Sequence, residues 1–308
     1  MRQLSLADRG QSLSLDKIVD DGPLPTCLGV ARLGSLQTAG ATFTVWMQLR
    51  GSAWVESKEG RFRLRQREWI AFEKESKPMI QAGRDGLCIG LSLTPDALRA
   101  LGELEDCSLY AGRGSMSRAE VRVALRLWRD ALASGQPAQA LRPVLLHLAA
   151  LQQGMATGVQ RCPGRSRSRK RQVFGRMQRA RLYLEGNSHR VVRIGELAEL
   201  TNFSSWYLSK TFQSLYEESP QSLSARLRLE RAADLLRDRA DPIARLMVRE
   251  QGKPLAEARG EVIGAADHID WAAEEGRRLY GRMIPARMPG VLQIARKEAI
   301  GPVAGFSP

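Results

Sequence analysis

The 308-residue sequence has few cysteines, few histidines and no long apolar run. Crossing a bilayer takes roughly 18–20 consecutive apolar residues, and no stretch of this chain approaches that length. The N-terminal segment MRQLSLADRGQSLSLDK also lacks the hydrophobic core of a secretory signal peptide. We therefore expect a cytoplasmic protein with no membrane partner.

The sparse cysteines and histidines argue against a metal centre. Cys27, Cys88, Cys107 and Cys162 are far apart and form no C-x-x-C pair. Buried or idle thiols are expected, with a metal or redox role as the alternative. The only histidine before residue 160 is His147, whereas a metal-dependent barrel enzyme needs several histidines clustered with a glutamate. No metal ligand is predicted.

Positive charge is concentrated in one short region. The formal net charge is +14, and residues 161–239 hold +9 of it, with 17 basic and 8 acidic side chains. Residues 1–160 carry 20 basic and 16 acidic side chains, and residues 240–308 carry 10 and 9. Such a concentration is typical of a surface that neutralises phosphates.

The N-terminal region predicts strands followed by helices. Short segments rich in β-branched and aromatic residues, broken by turn signals, predict strands at 41–50, 52–57, 61–66, 68–72 and 87–93. Helical spacing follows at 94–104, 117–133 and 138–155. We expect a meander or small barrel with helices after it. Its aromatic residues either line an apolar ligand pocket or fill the core; they are Trp46, Trp54, Phe62 and Trp69.

A basic segment rich in Pro, Gly and Ser, CPGRSRSRKRQ (residues 162–172), comes next. It reads as a solvated hinge, as a phosphate contact, or as both. An amphipathic helix is then predicted at 174–185.

Two short helices with a tight turn form the clearest motif. Ile194, Leu197 and Ala198 make the apolar face of the first helix, which ends at Thr201-Asn202, where Asn tolerates a left-handed conformation. Ser204 is the expected N-cap of a second helix at 205–216. This second helix turns Leu208, Phe212 and Leu215 inward. The pattern predicts a helix-turn-helix, in which the second helix lies in the major groove of DNA.

The outward residues of the second helix are of types that bind DNA. Lys binds guanine or phosphate, Gln binds adenine, and Ser binds either. The predicted DNA-binding residues are Ser205, Trp206, Ser209, Lys210 and Gln213, with phosphate contacts from Arg190, Arg193 and the arginines of residues 162–172. A surface helix of an ordinary bundle is the alternative, and the local basic excess favours DNA.

The run IGELAELTNFSSWYLSKTFQSLYEESPQSLSARLRLERAADLL (residues 194–236) resembles the first half of the DNA-binding domain of AraC/XylS transcriptional regulators. The matching elements are the series Ser204, Leu208, Lys210 and Phe212, then Ser219-Pro220, then a long Arg-Leu-x-x-Ala-x-x-Leu-Leu helix. The resemblance implies double-stranded DNA as a partner. It also implies an N-terminal barrel that binds a small-molecule effector or forms a homodimer.

After Arg239 the likeness changes. Regulators of that family continue into a second helix-turn-helix, which is not found here. Residues 240–308 instead resemble the N-terminal portion of NAD(P)-dependent aldehyde dehydrogenases of succinate-semialdehyde type. The carriers of this likeness are EQGKPLAEARGEV (residues 250–262), a helix with Trp271, Ala272, Glu274 and Glu275, Tyr280-Gly281, and a strand pair in LQIARKEAIGPVAGFSP (residues 292–308).

The dehydrogenase likeness does not imply catalysis. Such an enzyme needs a thiolate nucleophile, oxyanion donors and a nucleotide-binding fold. No cysteine follows Cys162, and residues 240–308 contain no glycine-rich loop between a strand and a helix. Glu274 and Glu275 are expected on a solvated helix edge rather than as acid and base. No catalytic residue and no cofactor are predicted.

The expected fold class is α+β, with a β-rich barrel-like N-terminal domain and its helices, an all-α helix-turn-helix domain, and a helical tail with a terminal strand pair. The predicted boundaries are 1–160 for the effector-binding or dimerisation domain, 161–172 for the basic linker, 173–239 for the half DNA-binding domain and 240–308 for the dehydrogenase-like fragment. Three functional hypotheses remain. The chain is an AraC-type regulator impaired by loss of its second helix-turn-helix, the truncated start of an aldehyde dehydrogenase, or a fusion with no selected joint function.

Overall fold

A computed structural model describes residues 4–15, 25–38, 42–103, 109–133, 137–278, 281–298 and 301. The chain contains both helices and sheets and divides into two compact units, Met1–Ser224 and Ala225–Pro308. None of the helices in the described ranges combines the length and apolar character needed to cross a bilayer.

The β-rich part of the first unit contains two sheets. Its strands are β1 Leu4–Ala7, β2 Ser12–Ser14, β3 Thr26–Ala31, β4 Ser35–Gln37, β5 Phe43–Arg50, β6 Ser52–Ser57, β7 Gly60–Arg65, β8 Glu68–Phe72, β9 Met79–Ala82, β10 Leu87–Leu93 and β11 Gly112–Ser115. The six-stranded sheet has the order β1-β3-β10-β5-β8-β11, and the five-stranded sheet has the order β2-β4-β9-β6-β7. Both sheets are mixed, because β1 with β3 and β2 with β4 pair in parallel while the other strands pair antiparallel.

Strand β5 shows how the core is divided. Phe43, Val45 and Met47 pack in one cluster with the helices that follow the sheet, whereas Trp46 belongs to a second cluster that draws side chains from both sheets. Gly90 pairs with Trp46 on the neighbouring strand. A Cβ at Gly90 would lie 2.5 Å from the indole ring, so the glycine makes room for it.

The predicted aromatic residues do not share one pocket. Trp46, Phe62 and Trp69 are buried, but Trp69 lies in the helix-side cluster and the other two lie in the cluster between the sheets. Trp54 is exposed, and the Arg61 guanidinium covers its ring at 4.4 Å. These side chains therefore fill the core or cover the surface.

The helices of the first unit come after β10, and β11 lies between the first two of them. They are α1 Pro95–Glu103, α2 Arg118–Ala133, α3 Pro137–Leu151, α4 Gln153–Arg161, α5 Arg167–Gly186, α6 Ile194–Thr201, α7 Ser205–Tyr216 and α8 Pro220–Asp238, and the boundary between the units falls within α8. The single helix predicted at 138–155 is interrupted at Gln152. There the side-chain amide of Gln152 accepts from the Tyr110 N–H at 2.8 Å and donates to the Tyr110 carbonyl at 3.0 Å.

Helix α5 begins seven residues earlier than the predicted helix at 174–185 and takes in half of the predicted hinge. The Ser166 side chain accepts a hydrogen bond from the Arg169 N–H at 3.1 Å and so caps the helix. Arginine and lysine are good helix formers, which allows the basic run after this cap to be helical.

The C-terminal end of α5 packs against the β-rich part. Arg179 donates from Nε to the Glu59 carboxylate at 2.8 Å, and Glu59 is fully buried. Asn187 donates to the Glu59 carbonyl at 2.9 Å. A Cβ at Gly60 would lie 2.6 Å from the Gly186 carbonyl carbon and oxygen, so the two backbones touch.

In the second unit α9 Ala240–Gln251 packs against α10 Leu255–Glu275, which is followed by a 3₁₀ turn at Gly276–Arg278. Gly252 adopts the left-handed conformation that ends α9. A terminal strand pair is also present, but its strands are β12 Arg282–Ile284 and β13 Gln293–Ala295. One strand of the pair lies in 292–308 as expected, whereas its partner β12 lies earlier, because a turn at Gly290 folds the chain back onto that segment. Tyr280 and most residues after 298 lie outside the described part.

Candidate nucleic-acid interface

A tight turn joins α6 to α7. Asn202 adopts φ 51° and ψ 47°, which is the left-handed conformation expected there. The Phe203 N–H donates to the Ala198 carbonyl at 3.1 Å and closes the end of α6. The Ser204 side chain accepts from the Tyr207 N–H at 3.2 Å and starts α7. The predicted helix ends and N-cap are thus confirmed.

The inner face of α7 is buried as predicted. Leu208 and Phe212 are fully buried and Leu215 is nearly so. Tyr216, which the sequence analysis did not assign, packs its ring 4.5 Å from that of Phe212 and donates its hydroxyl to the Gln178 side chain at 2.6 Å. Gln178 belongs to α5. Helix α7 is therefore fixed along one side by apolar contacts and at its C-terminal end by this hydrogen bond to α5.

The outer face of α7 carries the predicted DNA-binding residues. Ser205, Trp206, Lys210 and Gln213 are exposed, and Ser209 is half-buried. Trp206 is 69% exposed, which is unusual for an indole. The Lys210 ammonium lies 5.0 Å from the Trp206 ring centroid. The two side chains therefore form one surface of cation and aromatic ring at i and i+4.

Arg176 of α5 contacts the turn and was missed by sequence reasoning. Its guanidinium lies 5.0 Å from the Phe203 ring centroid, and its Nη1 approaches the Asn202 carbonyl at 3.5 Å. The Phe203 ring in turn lies 4.9 Å from that of Tyr207. Arg176 adds a cation beside the turn, and the sequence signalled it only as one of many basic residues in 161–239.

Arg190 is occupied by protein partners. Its guanidinium donates to both carboxylate oxygens of Glu196, at 2.7 and 3.1 Å, and to the Tyr183 hydroxyl at 2.9 Å. The hydrogen bonds from Arg190 and from the Arg193 N–H hold the pKa of Glu196 at about 2. Arg193 itself is exposed and precedes α6 directly. A role for either arginine in DNA binding remains a prediction.

Exposed arginines surround the start of α5, among them Arg165, Arg167 and Arg169. Lys170 donates to the Gln160 carbonyl at 2.9 Å, which ties α5 to α4. This basic helix end lies in the same unit as α7.

The described residues offer no clustered metal ligands and no activated thiol. No group of three or more His, Cys, Asp and Glu that could hold a metal occurs in this part of the chain. Cys27, Cys88 and Cys162 are buried, and burial raises the pKa of Cys27 and Cys162 to about 11 and that of Cys88 further. Cys107 lies outside the described residues. Among the acids considered for catalysis, Glu274 is exposed on α10 and Glu275 pairs with Arg278 at 3.1 Å.

Residues 211–308 match the aldehyde dehydrogenase family model. Over 81 residues the chain is 56% identical to 4-(hydroxymethyl)benzenesulfonate dehydrogenase TsaD1 of Comamonas testosteroni, covering 26% of this chain and 17% of that enzyme. It is 48% identical over 75 residues to the succinate-semialdehyde dehydrogenase GabD of Escherichia coli K12, covering 24% and 16%. The chain thus spans only about a sixth of the length of these relatives. The match begins inside α7 and includes all of α8.

Two solved regulators show a weaker structural likeness. ToxT from Vibrio cholerae O395 has a TM-score of 0.31 at 9% identity, covering 80% of this chain and 96% of that one. The AraC-like transcriptional activator CuxR has a TM-score of 0.25 at 15% identity, covering 64% and 68%. Scores at this level do not establish a common fold.

Proposed function

We propose that this chain is a DNA-binding transcriptional regulator of AraC type that carries the first of the two helix-turn-helix units of that family. The observation that supports this most directly is α7. It is capped by Ser204, buried along Leu208 and Phe212, and exposes Trp206 and Lys210 on its outer face. In a helix-turn-helix such a face enters the major groove, and the preceding helix crosses the backbone.

The proposed base contacts come from Ser205, Trp206, Ser209, Lys210 and Gln213. Phosphate contacts come from Arg193, from Arg176 beside the turn and from the exposed arginines at the start of α5. Arg190 takes part only if its pairing with Glu196 opens, since that pairing occupies its guanidinium. Phosphate contacts set orientation and salt dependence, while the α7 side chains supply sequence preference.

The two sheets of the first unit then form the barrel-like domain of the regulator. The resemblance to AraC/XylS regulators implies that this domain binds an effector or forms a dimer. The cell compartment is the cytoplasm, where the partner DNA lies. The second unit does not replace the missing helix-turn-helix, because residues 240–308 carry a net charge of only +1 and expose acids such as Glu257 and Glu261. Glu261 is paired with Lys253, but the Glu257 charge would repel phosphate. One unit per chain predicts an impaired regulator, whose binding is weak unless two chains act together.

The deciding experiment begins with duplexes selected from a randomised pool by the purified 308-residue protein. Lys210→Ala is then compared with the natural chain by fluorescence anisotropy. Loss of a base or phosphate contact costs about 1–3 kcal/mol, which is roughly a 5- to 150-fold weaker affinity. Arg126→Ala is the matched control, because it removes one exposed positive charge from α2, which is not one of the predicted DNA-binding helices. Equal affinities for Lys210→Ala and the natural chain would move the recognition surface off α7.

The alternative is that the chain is the truncated start of an aldehyde dehydrogenase or a fusion with no selected joint function. The 56% identity to TsaD1 over 81 residues favours it. Sequencing the transcript through codons 211–240 and past codon 308 separates the possibilities. A reading frame that continues with dehydrogenase sequence supports the enzyme, and a transcript that breaks within α8 supports an accidental junction.

A further inference from the structure

A cavity of about 240 Å³ lies behind α7, where α4, α5 and β11 meet it. Leu215 and Tyr216, the last two residues of α7, form one wall. Gly112 and Arg113 of β11 form another. The cavity therefore joins the β-rich part of the first unit to the helix that carries the proposed DNA contacts.

The floor of the cavity is apolar and closely built. Phe174, Leu182 and Leu215 line it. A Cβ at Gly158 would lie 2.7 Å from the Phe174 ring, so only glycine lets α4 approach this ring. A Cβ at Gly112 would likewise lie 2.7 Å from the Met155 methyl group. An apolar or aromatic body is what these walls accommodate.

Arginines from three different elements line the same cavity, namely Arg113, Arg161 and Arg181. Glu185 is the one acid among the described lining residues, so the lining carries net positive charge. Arg113 already forms an ion pair with Glu68 at 3.2 Å, and both side chains are largely buried. That leaves Arg161 and Arg181 as the cations for a ligand.

Both of these arginines have further N–H groups that can donate to a ligand. Arg161 donates from Nη1 to Glu217 at 3.2 Å, but the two side chains are 54% and 79% exposed, and such surface pairs are weak. Arg181 donates to Glu185 from Nε at 3.1 Å, and its guanidinium lies 5.0 Å from the Tyr216 ring. Within the described part of the chain its two Nη groups have no acceptor. A planar guanidinium with such groups can form a bidentate pair with a carboxylate.

Gln178 supplies a buried polar group inside the cavity. Its side-chain oxygen accepts from the Tyr216 hydroxyl, whereas its nitrogen meets the Met155 sulfur at 3.2 Å. Thioether sulfur is a weak acceptor, and buried amide donors ordinarily find a stronger one. An oxygen of a bound ligand would supply it.

We propose that this cavity binds a small amphipathic carboxylate. Its apolar part lies on Phe174 and Leu215, its carboxylate is held by Arg161 and Arg181, and the bound molecule fixes α7 against α4 and thereby raises DNA affinity. The effect on DNA rests on the proposed function, whereas ligand binding does not. Fixing α7 removes conformational freedom that DNA binding would otherwise have to remove.

The binding test uses calorimetric titration of the full chain with phenylbutyrate, and with phenylbutanol and phenylbutylamine as matched uncharged and cationic analogues. Saturable binding of phenylbutyrate, with at least tenfold weaker binding of the other two, is expected. Arg161→Gln and Arg181→Gln should each weaken phenylbutyrate about tenfold, since each removes a charge-assisted hydrogen bond. Arg126→Gln on α2 should leave it unchanged. Equal binding of phenylbutanol, or no phenylbutyrate binding, overturns the proposal.

Methionine-methyl NMR locates the ligand without relying on arginine variants, which guards against a variant that fails to fold. The Met155 signal, assigned with Met155→Leu, should shift with the same midpoint as the calorimetric titration. A titration that shifts other methionines and leaves Met155 unmoved overturns the cavity assignment.

Coupling is measured on the selected duplex. Phenylbutyrate at saturation should tighten DNA binding about threefold or more in the natural chain and have no effect in Arg161→Gln/Arg181→Gln. An unchanged or weakened DNA affinity overturns the coupling. If no duplex binds under any condition, the proposed function fails, while calorimetry and NMR still decide the cavity.

Discussion

Arg190 and Glu196 form a two-pronged ion pair, with the Nη2 to Oε2 distance at 2.7 Å and the Nη1 to Oε1 distance at 3.1 Å. The Tyr183 hydroxyl lies between them, accepting from Arg190 at 2.9 Å and donating to Glu196 at 3.2 Å. Since Tyr183 belongs to α5 and Glu196 to the first turn of α6, this cluster fixes α6 on α5. The orientation of α7 depends on it through the Asn202 turn.

Replacing Glu196 with Gln should lower the free energy of unfolding of the first unit by about 1–2 kcal/mol. The variant loses charge-assisted hydrogen bonds that are only partly screened by solvent. Urea denaturation followed by circular dichroism measures the loss. Glu199→Gln is the control, because Glu199 is an exposed acid on the same helix. A control that loses as much as Glu196→Gln would rule out a specific role for the cluster.

The same ion pair should make the free energy of unfolding depend on pH. The folded-state pKa of Glu196 is about 2, against an ordinary value of 4.5, chiefly because Arg190 donates hydrogen bonds to it. The contribution of Glu196 to the free energy of unfolding is therefore complete above about pH 4.5 and is lost as the pH falls through about 2. The stability difference between the natural chain and Glu196→Gln should shrink across that window. A constant difference from pH 6 to pH 2 would contradict the assignment.

Arg179→Met should destabilise the first unit by about 3–5 kcal/mol, because it leaves the carboxylate of Glu59 buried without its charged partner. Adding Glu59→Gln should restore part of the loss, since the uncompensated charge is then gone. Arg169→Met on the exposed start of α5 is the matched control. Thermal unfolding of the four proteins completes the comparison, and a double variant no more stable than Arg179→Met would refute the charge argument.

Thiol reagents should leave Cys27, Cys88 and Cys162 unmodified in the folded chain. Burial raises the pKa of Cys27 and Cys162 to about 11, so almost no thiolate is present at neutral pH. Cys107→Ser removes the remaining cysteine from the measurement. With an aromatic disulfide reagent, that variant should react only after unfolding. Rapid reaction of the folded variant would show that one of the three thiols is accessible.

The purified chain should also show no oxidation of succinate semialdehyde with NAD or NADP. No cysteine follows Cys162 in the 308 residues, so the nucleophile that the family requires has no counterpart in the matched segment. Cofactor reduction, followed by the absorbance of the reduced nicotinamide, measures this. Turnover that persists in a Cys-free variant would point to a contaminating enzyme, and turnover abolished by removing one cysteine would contradict the prediction.

Salt should weaken DNA binding by an amount that reflects a single reading unit. One helix-turn-helix neutralises about four to six phosphates, which gives a slope of log affinity against log salt of about −4 to −5. Anisotropy titrations between low and moderate salt provide the slope. A slope near −10 would indicate two units acting together, and size-exclusion chromatography would then have to show a dimer.

Local patterns predicted α6 and α7 well because their signals are local. Asn202 and Ser204 define the turn and cap within three residues, and the apolar positions of α7 follow a helical period. Strand β6 was equally predictable, since its buried and exposed residues alternate. Short strands such as β2 and β4 were missed. Three residues carry too little pattern, and these strands depend on hydrogen bonds from distant segments.

The roles of individual arginines could not be predicted from charge alone. The charge count grouped Arg179 with the basic residues expected to bind phosphate. Its partner is instead Glu59, which is 120 positions away in the sequence. Arg190 likewise pairs with Glu196, and Arg176 reaches the Phe203 ring. A side chain's partner is set by tertiary packing. The sequence therefore indicated where basic charge is concentrated and not which cations remain for DNA.

Helix α5 has twenty residues and so is about 30 Å long. One end is clamped to the β-rich part at Gly186 and Glu59, and the body carries the Arg176 contact to the α6–α7 turn. The start of the helix is also held, because Lys170 donates to the Gln160 carbonyl of α4. Helix α5 is therefore a rigid connection between the β-rich part, α4 and the turn. Strain in the β-rich part would reach α7 as a change of angle, with no loop in between to absorb it.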